Sequence, residues 1–141
     1  MTDMLESLLY AAVYCLAGIA LLAGGFVTMD LLTPGRLGER IYTERSINAA
    51  LIVGAEFLGL GAIAFTTIWT NGSAGFGAAL AWTLAFGILG IALQAVSFLV
   101  LDAITPGSLR AIAVEQGLHP GAIVAASAML AVSAIVCASI A

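Results

Sequence analysis

Three carboxylic acids in this chain lie in or beside long apolar runs, where an acidic side chain can do chemistry. Glu56 is near the middle of the run Ile47–Trp69, and Asp30 and Asp102 each follow another such run. A carboxyl group in these surroundings must face protein or water, so it is a candidate for carrying a proton or binding a cation. Gln94, in the third run, is an uncharged polar group that could share such a path with Glu56.

Each of these residues also has a purely structural interpretation. A protonated Glu56 could donate a hydrogen bond to a neighbouring helix, and Gln94 could form a hydrogen bond between helices. Asp30 and Asp102 could accept hydrogen bonds from the backbone of a turn instead of forming a cation or proton port. The residue types and their spacing leave both interpretations open.

The runs that hold these residues are long enough to cross a membrane. Of the 141 residues, 62% are hydrophobic and 9% are charged, and the mean hydropathy is +1.16. Such a composition cannot form the surface of a soluble protein. A helix of roughly 20 apolar residues crosses a hydrocarbon core of about 30 Å. An all-α integral membrane protein is predicted, with four transmembrane helices at Ser7–Met29, Ile47–Trp69, about Gly77–Leu101 and Pro120–Ala141.

The two aspartates belong to an internal repeat. The segments "DLLTPGRL" (Asp30–Leu37) and "DAITPGSL" (Asp102–Leu109) are 72 residues apart, and at this offset eleven of the twenty positions from Gly18 to Leu37 are identical. A unit of two spans returns the chain to its starting side. The repeats are therefore predicted to be parallel and related by a pseudo-two-fold axis along the membrane normal, with residues 1–72 as the first two-span repeat and residues 73–141 as the second.

The distribution of charge predicts an orientation in the membrane. All four arginines fall on the side of the two TPG segments, whereas the turn Thr70–Gly77 on the other side has no charge. Basic residues are retained on the cytoplasmic side of a membrane. We therefore expect cytoplasmic TPG loops and N- and C-termini on the outside.

The loop motif predicts how each turn is built. Proline suits the first position of a helix, and a threonine just before it can cap that helix. We expect short interfacial helices that begin at the two prolines, with the two threonines as their N-caps. The motif residues are Thr33, Pro34 and Gly35 in the first loop and Thr105, Pro106 and Gly107 in the second.

The tandem spans and their loops resemble a bacterial membrane-protein family, that of domain of unknown function 350. Its two-span units carry a loop of the type D-x-x-T-P-G-x-L, found here at Asp30–Leu37 and Asp102–Leu109. The resemblance implies a four-helix fold, a location in the bacterial inner (plasma) membrane, and work with other envelope proteins. It implies no particular activity.

Enzyme activity is not predicted. The chain has one histidine, no lysine, no clustered metal ligands and no phosphate-binding loop, so we expect no catalytic residue, metal site or cofactor. A net charge of −4 argues against binding to nucleic acid.

Two functions stay open for this bilayer-embedded chain. It could be a structural or scaffolding subunit that self-associates or docks partners through cytoplasmic TPG loops, or a component of an ion or proton channel or transporter that uses Glu56 with Asp30 and Asp102.

Overall fold

The computed structural model describes all 141 residues and contains six α-helices and no β-strand. Four helices are long and apolar enough to cross a membrane, as predicted, and two short helices lie in the TPG loops. The helices are α1 Thr2–Leu32, α2 Leu37–Tyr42, α3 Ile47–Asn71, α4 Phe76–Ile104, α5 Leu109–Ala113 and α6 Pro120–Ile140. Three of the spanning helices, α1, α3 and α4, are longer than the predicted apolar runs.

Helix α3 is the centre of the bundle, since it packs against α1, α4 and α6. It also carries more buried residues than any other helix, and Ile52, Leu60 and Ile63 are nearly inaccessible. By contrast, the first turns of α1 are exposed; there, Tyr10 stacks on Phe76 at the start of α4, with ring centroids 4.2 Å apart. The exposed apolar side chains on the outside of the bundle are suited to contact with lipid.

Close packing inside the bundle depends on glycines that face large or polar side chains of the next helix. A Cβ atom at Gly59 of α3 would collide with Ser133 of α6 and with Gln94 of α4. At Gly90 of α4, it would lie 2.6 Å from Cδ1 of Ile63. These small residues therefore serve contacts within one chain, where they let helices approach closely.

Both TPG loops lie at the same end of the bundle, and a buried asparagine joins the second loop to the central helix. We call this end, residues 30–46 and 102–119, the loop face. Asn48 Nδ2 donates to the carbonyl oxygens of Ile112 at 3.0 Å and Gly117 at 2.9 Å, and its Oδ1 accepts from the backbone N–H of His119 at 2.8 Å. Asn48 is completely buried and uses both ends of its amide. Nothing in the local sequence pattern predicts this interaction.

The residues just before α3 and α6 cap these helices. The Ser46 side chain accepts from Ala49 N–H and donates to the carbonyl oxygen of Ala113 at 3.0 Å. His119 Nδ1 accepts from the N–H of Gly121 at 2.9 Å, with Pro120 between them as the first residue of α6. Both spanning helices therefore begin at the loop face with a defined geometry.

The substitution Asn48→Ala tests whether this amide holds the loop face together. It would leave the carbonyl oxygens of Ile112 and Gly117 and the N–H of His119 without this partner, so we expect a loss of about 3 kcal/mol in the free energy of unfolding. Asn71→Ala is the matched control, because the Asn71 amide bonds only within the opposite turn, to Thr67 and Thr70. It should change the free energy by less than about 0.5 kcal/mol. Equal losses in the two variants, measured by unfolding in detergent micelles, would contradict this role of Asn48.

Candidate functional site

Asp30 fastens the first TPG loop to the end of α1. Its Oδ1 accepts a hydrogen bond from the backbone N–H of Leu37, the first residue of α2, at 2.6 Å. Leu37 itself is buried with an exposure of 2%, so this bond anchors the short helix against the bundle. Of the two interpretations of Asp30, the backbone-bonded turn describes the geometry.

The predicted N-cap of the first loop is wrong. Helix α2 begins at Leu37 and not at Pro34, and Thr33 is the C-cap of α1. The reason is Gly35, whose φ of 83° lies in the left-handed region and interrupts any helix that would start at the proline.

The second loop has the same backbone arrangement, and the predicted cap is wrong there too. Helix α5 begins at Leu109 after Gly107, whose φ is 93°. Thr105 is the C-cap of α4, and its hydroxyl donates to the carbonyl oxygen of Leu101 at 2.6 Å, so it does not cap a helix at Pro106.

Asp102 differs from Asp30 in having a cation beside it. Its Oδ1 accepts from the backbone N–H of Arg110 at 3.1 Å and from Ser108 Oγ at 3.0 Å. Nε of Arg110 lies 3.4 Å from Asp102 Oδ2, an ion pair without the geometry of a hydrogen bond. The residue 72 positions before Arg110 is Gly38, so Asp30 has no such guanidinium.

An open cavity of about 520 Å³ lies where the first loop lacks this arginine. A second cavity, of about 210 Å³, lies in the second loop and is mostly apolar. Neither cavity is lined by Glu56 or Gln94. The larger cavity is lined by Phe26, Asp30, Arg36, Gly38, Glu39 and Thr43.

Glu56 is completely buried in the bundle, and neither of its carboxyl oxygens has a hydrogen-bond partner. Its neighbour on α1 is Gly25, where a Cβ atom would lie 2.9 Å from Glu56 Oε1. The predicted hydrogen bond from Glu56 to another helix is absent, and the facing residue of α1, Gly25, has no side chain that could accept it. An acid without a partner in such a place is able to hold a proton or bind a cation that reaches it.

Gln94 forms an interhelical hydrogen bond but not with Glu56. Its Nε2 donates to Ser133 Oγ on α6 at 2.6 Å, and Ser133 in turn donates to the carbonyl oxygen of Met129 at 2.9 Å. Gln94 Oε1 has no partner. The four polar residues proposed for a single path are thus divided between two places, the loop face for the aspartates and the bundle interior for Glu56 and Gln94. No group of three His, Cys, Asp or Glu side chains could hold a metal ion.

The substitutions Asp30→Ala and Thr33→Ala distinguish the two capping schemes. Asp30→Ala removes the acceptor of the Leu37 N–H, so amide exchange of the segment 34–42 should become about fivefold faster, the equivalent of one lost cap. Thr33→Ala should leave this exchange rate unchanged. Hydrogen–deuterium exchange in micelles measures both variants. Faster exchange in Thr33→Ala alone would support Thr33, instead of Asp30, as the cap of the short helix.

Comparison with known proteins places this architecture in a family. The family model described as a domain of unknown function (DUF350) matches residues 3–140. A UPF0719 transmembrane protein of Mycolicibacterium paratuberculosis is 31% identical over 140 residues, which is 99% of this chain and 92% of that protein. UPF0719 transmembrane proteins of Mycobacterium bovis and Mycobacterium tuberculosis are 28% identical over 148 residues, 99% of this chain and 91% of theirs. No solved structure matches the chain. The chain is a multi-pass membrane protein and belongs to the DUF350 family.

Proposed function

We propose that the protein is a structural or scaffolding subunit of the bacterial inner membrane that self-associates or docks other envelope proteins through its loop face. In this proposal the loop face is cytoplasmic and both termini are outside. The presence of all four arginines at that end of the chain supports the orientation. No catalytic role is included.

The observation that carries the proposal is the internal bonding of the loop face. Short loops exposed to water usually lose their shape unless backbone groups are tied down. Here Asp30 and Asp102 each bond to the start of a short helix, and Asn48 bonds to three backbone groups around the second loop. A surface that keeps its shape without a partner loses little entropy when a partner binds, so it is suited to docking.

The proposal also includes the tandem repeat: each two-span unit contributes one TPG loop to the loop face. In both loops the aspartate accepts from a backbone N–H at the start of the short helix, that of Leu37 in the first loop and that of Arg110 in the second. The positive-φ glycines Gly35 and Gly107 are 72 residues apart. These local similarities support two parallel two-span units, residues 1–72 and 73–141, within one membrane domain.

Self-association has support on the outer surface of the bundle. Gly18 of α1 and Gly54 and Gly61 of α3 have no atom within 4 Å of the place that a Cβ would occupy. Glycines with open space before them allow a helix of a second copy to approach closely. A homo-oligomer formed on these helices would present several loop faces side by side.

Photo-crosslinking in living cells tests the docking proposal. A photoreactive amino acid is placed at Arg36 or Gln116 on the loop face, and at Ser73 in the opposite turn as the control; all three are exposed. We expect discrete crosslinked complexes from the loop face only, and their loss when Asn48→Ala loosens the second loop. Crosslinks that are equally abundant from Ser73, or that persist in Asn48→Ala, would contradict docking by an ordered loop face.

A second candidate function is proton or cation transport, and one observation favours it: the buried, unpaired carboxyl of Glu56. Burying an ionisable group without a partner inside a membrane protein costs free energy, so such a group is a candidate for a function. Because neither cavity includes Glu56, a path past it would have to form between subunits or in another conformation. Asp30 and Asp102 would then form its cytoplasmic port.

The substitution Glu56→Gln separates the two functions. In proteoliposomes under a pH gradient or a cation gradient, a structural subunit gives no flux with either the wild type or the variant. A transporter gives flux with the wild type that Glu56→Gln abolishes while the protein stays folded. The control is Glu44→Gln, which removes a half-buried acid paired with Arg40 on the loop face. Flux that is lost in Glu56→Gln but kept in Glu44→Gln would replace the scaffolding proposal by transport.

A further inference from the structure

The two TPG loops differ in how the second aspartate oxygen is used, and this difference points to a ligand. In the second loop Arg110 supplies a guanidinium beside Asp102 Oδ2 at 3.4 Å. In the first loop the equivalent position is Gly38, and the space beside Asp30 is the open cavity of about 520 Å³. A guanidinium therefore forms an ion pair with the aspartate of the second loop, whereas the aspartate of the first loop has no ion pair.

Gly38 itself faces this cavity. A Cβ atom there would meet only Cζ of Phe26, which lines the same cavity, at 3.9 Å. A side chain at position 38 would therefore project into the space without a clash. Glycine keeps the cavity open, at a size within the range of small-molecule sites, about 300–1,000 Å³.

The charges around the cavity are of both signs. Asp30 and Glu39 supply carboxylates, and Arg36 supplies a guanidinium that takes part in neither of the two ion pairs of the chain. Arg40, on α2, is already paired with Glu44 at 2.6 Å. The ligand that this arrangement suits has a positive group for the carboxylates and an anionic group for Arg36, because a guanidinium matches phosphate geometry well.

We propose that this cavity binds a phosphoethanolamine group, with the primary ammonium beside Asp30 and Glu39 and the phosphate beside Arg36. The ammonium would occupy the place that the Arg110 guanidinium takes in the second loop. The cavity lies at the end of the spanning helix α1, which ends at Leu32, and the ends of spanning helices lie in the headgroup region of a bilayer. Phe26 supplies an apolar wall for the glycerol part. This inference goes beyond the scaffolding function and does not depend on it.

Chemistry distinguishes this ligand from other headgroups. A primary ammonium donates hydrogen bonds to carboxylates, whereas the quaternary ammonium of phosphatidylcholine has no N–H to donate. Phosphatidylglycerol has the phosphate but no cation for Asp30 and Glu39. Since hydrogen bonds between charged groups are the strong ones, phosphatidylethanolamine should be preferred over both by about tenfold.

The test uses nanodiscs of phosphatidylcholine that contain the full-length protein and a lipid spin-labelled on its acyl chain. The fraction of motionally restricted lipid is measured for labelled phosphatidylethanolamine, phosphatidylcholine and phosphatidylglycerol. In a second arm, soluble O-phosphoethanolamine is titrated calorimetrically into the protein in detergent. Preference in the nanodiscs identifies a lipid as the source of the group, and binding in the calorimeter alone identifies the free compound.

Substitutions then connect binding with the cavity. Gly38→Arg should mimic the second loop, pair with Asp30 and abolish the preference, whereas Gly38→Ala should keep it because a methyl group leaves the cavity open. Asp30→Asn should also abolish the preference, and it retains an oxygen for the Leu37 N–H. Glu115→Gln, which removes one exposed acid from the other loop, is the charge-matched control and should bind like the wild type.

Two results would overturn the proposal. One is equal restriction of all three lipids together with no calorimetric binding of O-phosphoethanolamine. The other is a preference for phosphatidylethanolamine that survives both Gly38→Arg and Asp30→Asn in protein that remains folded by circular dichroism.

Discussion

Hydrocarbon offers no hydrogen-bond partner, so every polar group of this bundle must find one inside the chain, and this constraint shapes the rest of the structure. The hydroxyls of Thr67 and Thr83 meet it within their own helices, by donating to carbonyl oxygens one turn earlier at 2.8 Å. Gln94 meets it in part, because its Nε2 donates to Ser133 on another helix while its Oε1 has no partner. Neither carboxyl oxygen of Glu56 has a partner. Glu56 is therefore the one acid in a closely packed and mostly apolar interior.

At the loop face the same constraint is met by side chains that bond to backbone. The loops must reverse the chain within a few residues, and each reversal leaves N–H groups at the start of a short helix. Asp30 and Asp102 accept from these groups, and Asn48 satisfies the loop between α5 and α6. The repeated motif therefore provides, in each turn, an aspartate that accepts a hydrogen bond from the backbone. The aspartate-to-backbone bond is present in both turns, although one has Gly38 where the other has Arg110.

Much of the fold follows from the sequence because hydrophobic length determines it. The four spans are evident from apolar runs. For the aspartates the sequence left two interpretations open, and the backbone-bonded turn was one of them. The threonine caps were wrongly predicted because Pro34 favours a helix start, while the left-handed backbone at Gly35 delays it to Leu37. The local sequence does not show whether the preference of the proline or that of the glycine determines where the helix begins.

The candidate site was less predictable because it depends on distant residues. The partners of Asn48 are 64 to 71 positions away in the chain, so no local pattern reveals them. The cavity beside Asp30 depends on the absence of a side chain at Gly38. This absence becomes noticeable only when the first loop is compared with the second, which has Arg110 at the equivalent position. The repeat offset was the signal that could have exposed it. Glu56 was identified from its type and position, but its lack of any partner depends on the packing of Gly25 against it.

Polar function at the loop face alone requires that the interior past Glu56 be closed to water. Cysteine accessibility tests it most directly, in a background where Cys15 and Cys137 are replaced by alanine. Single cysteines at positions 56 and 36 are reacted with a membrane-impermeant maleimide in nanodiscs open to both sides. A closed interior predicts rapid labelling of Arg36→Cys and no detectable labelling of Glu56→Cys. Labelling of both at similar rates would reveal a hydrated path through the bundle and contradict the claim.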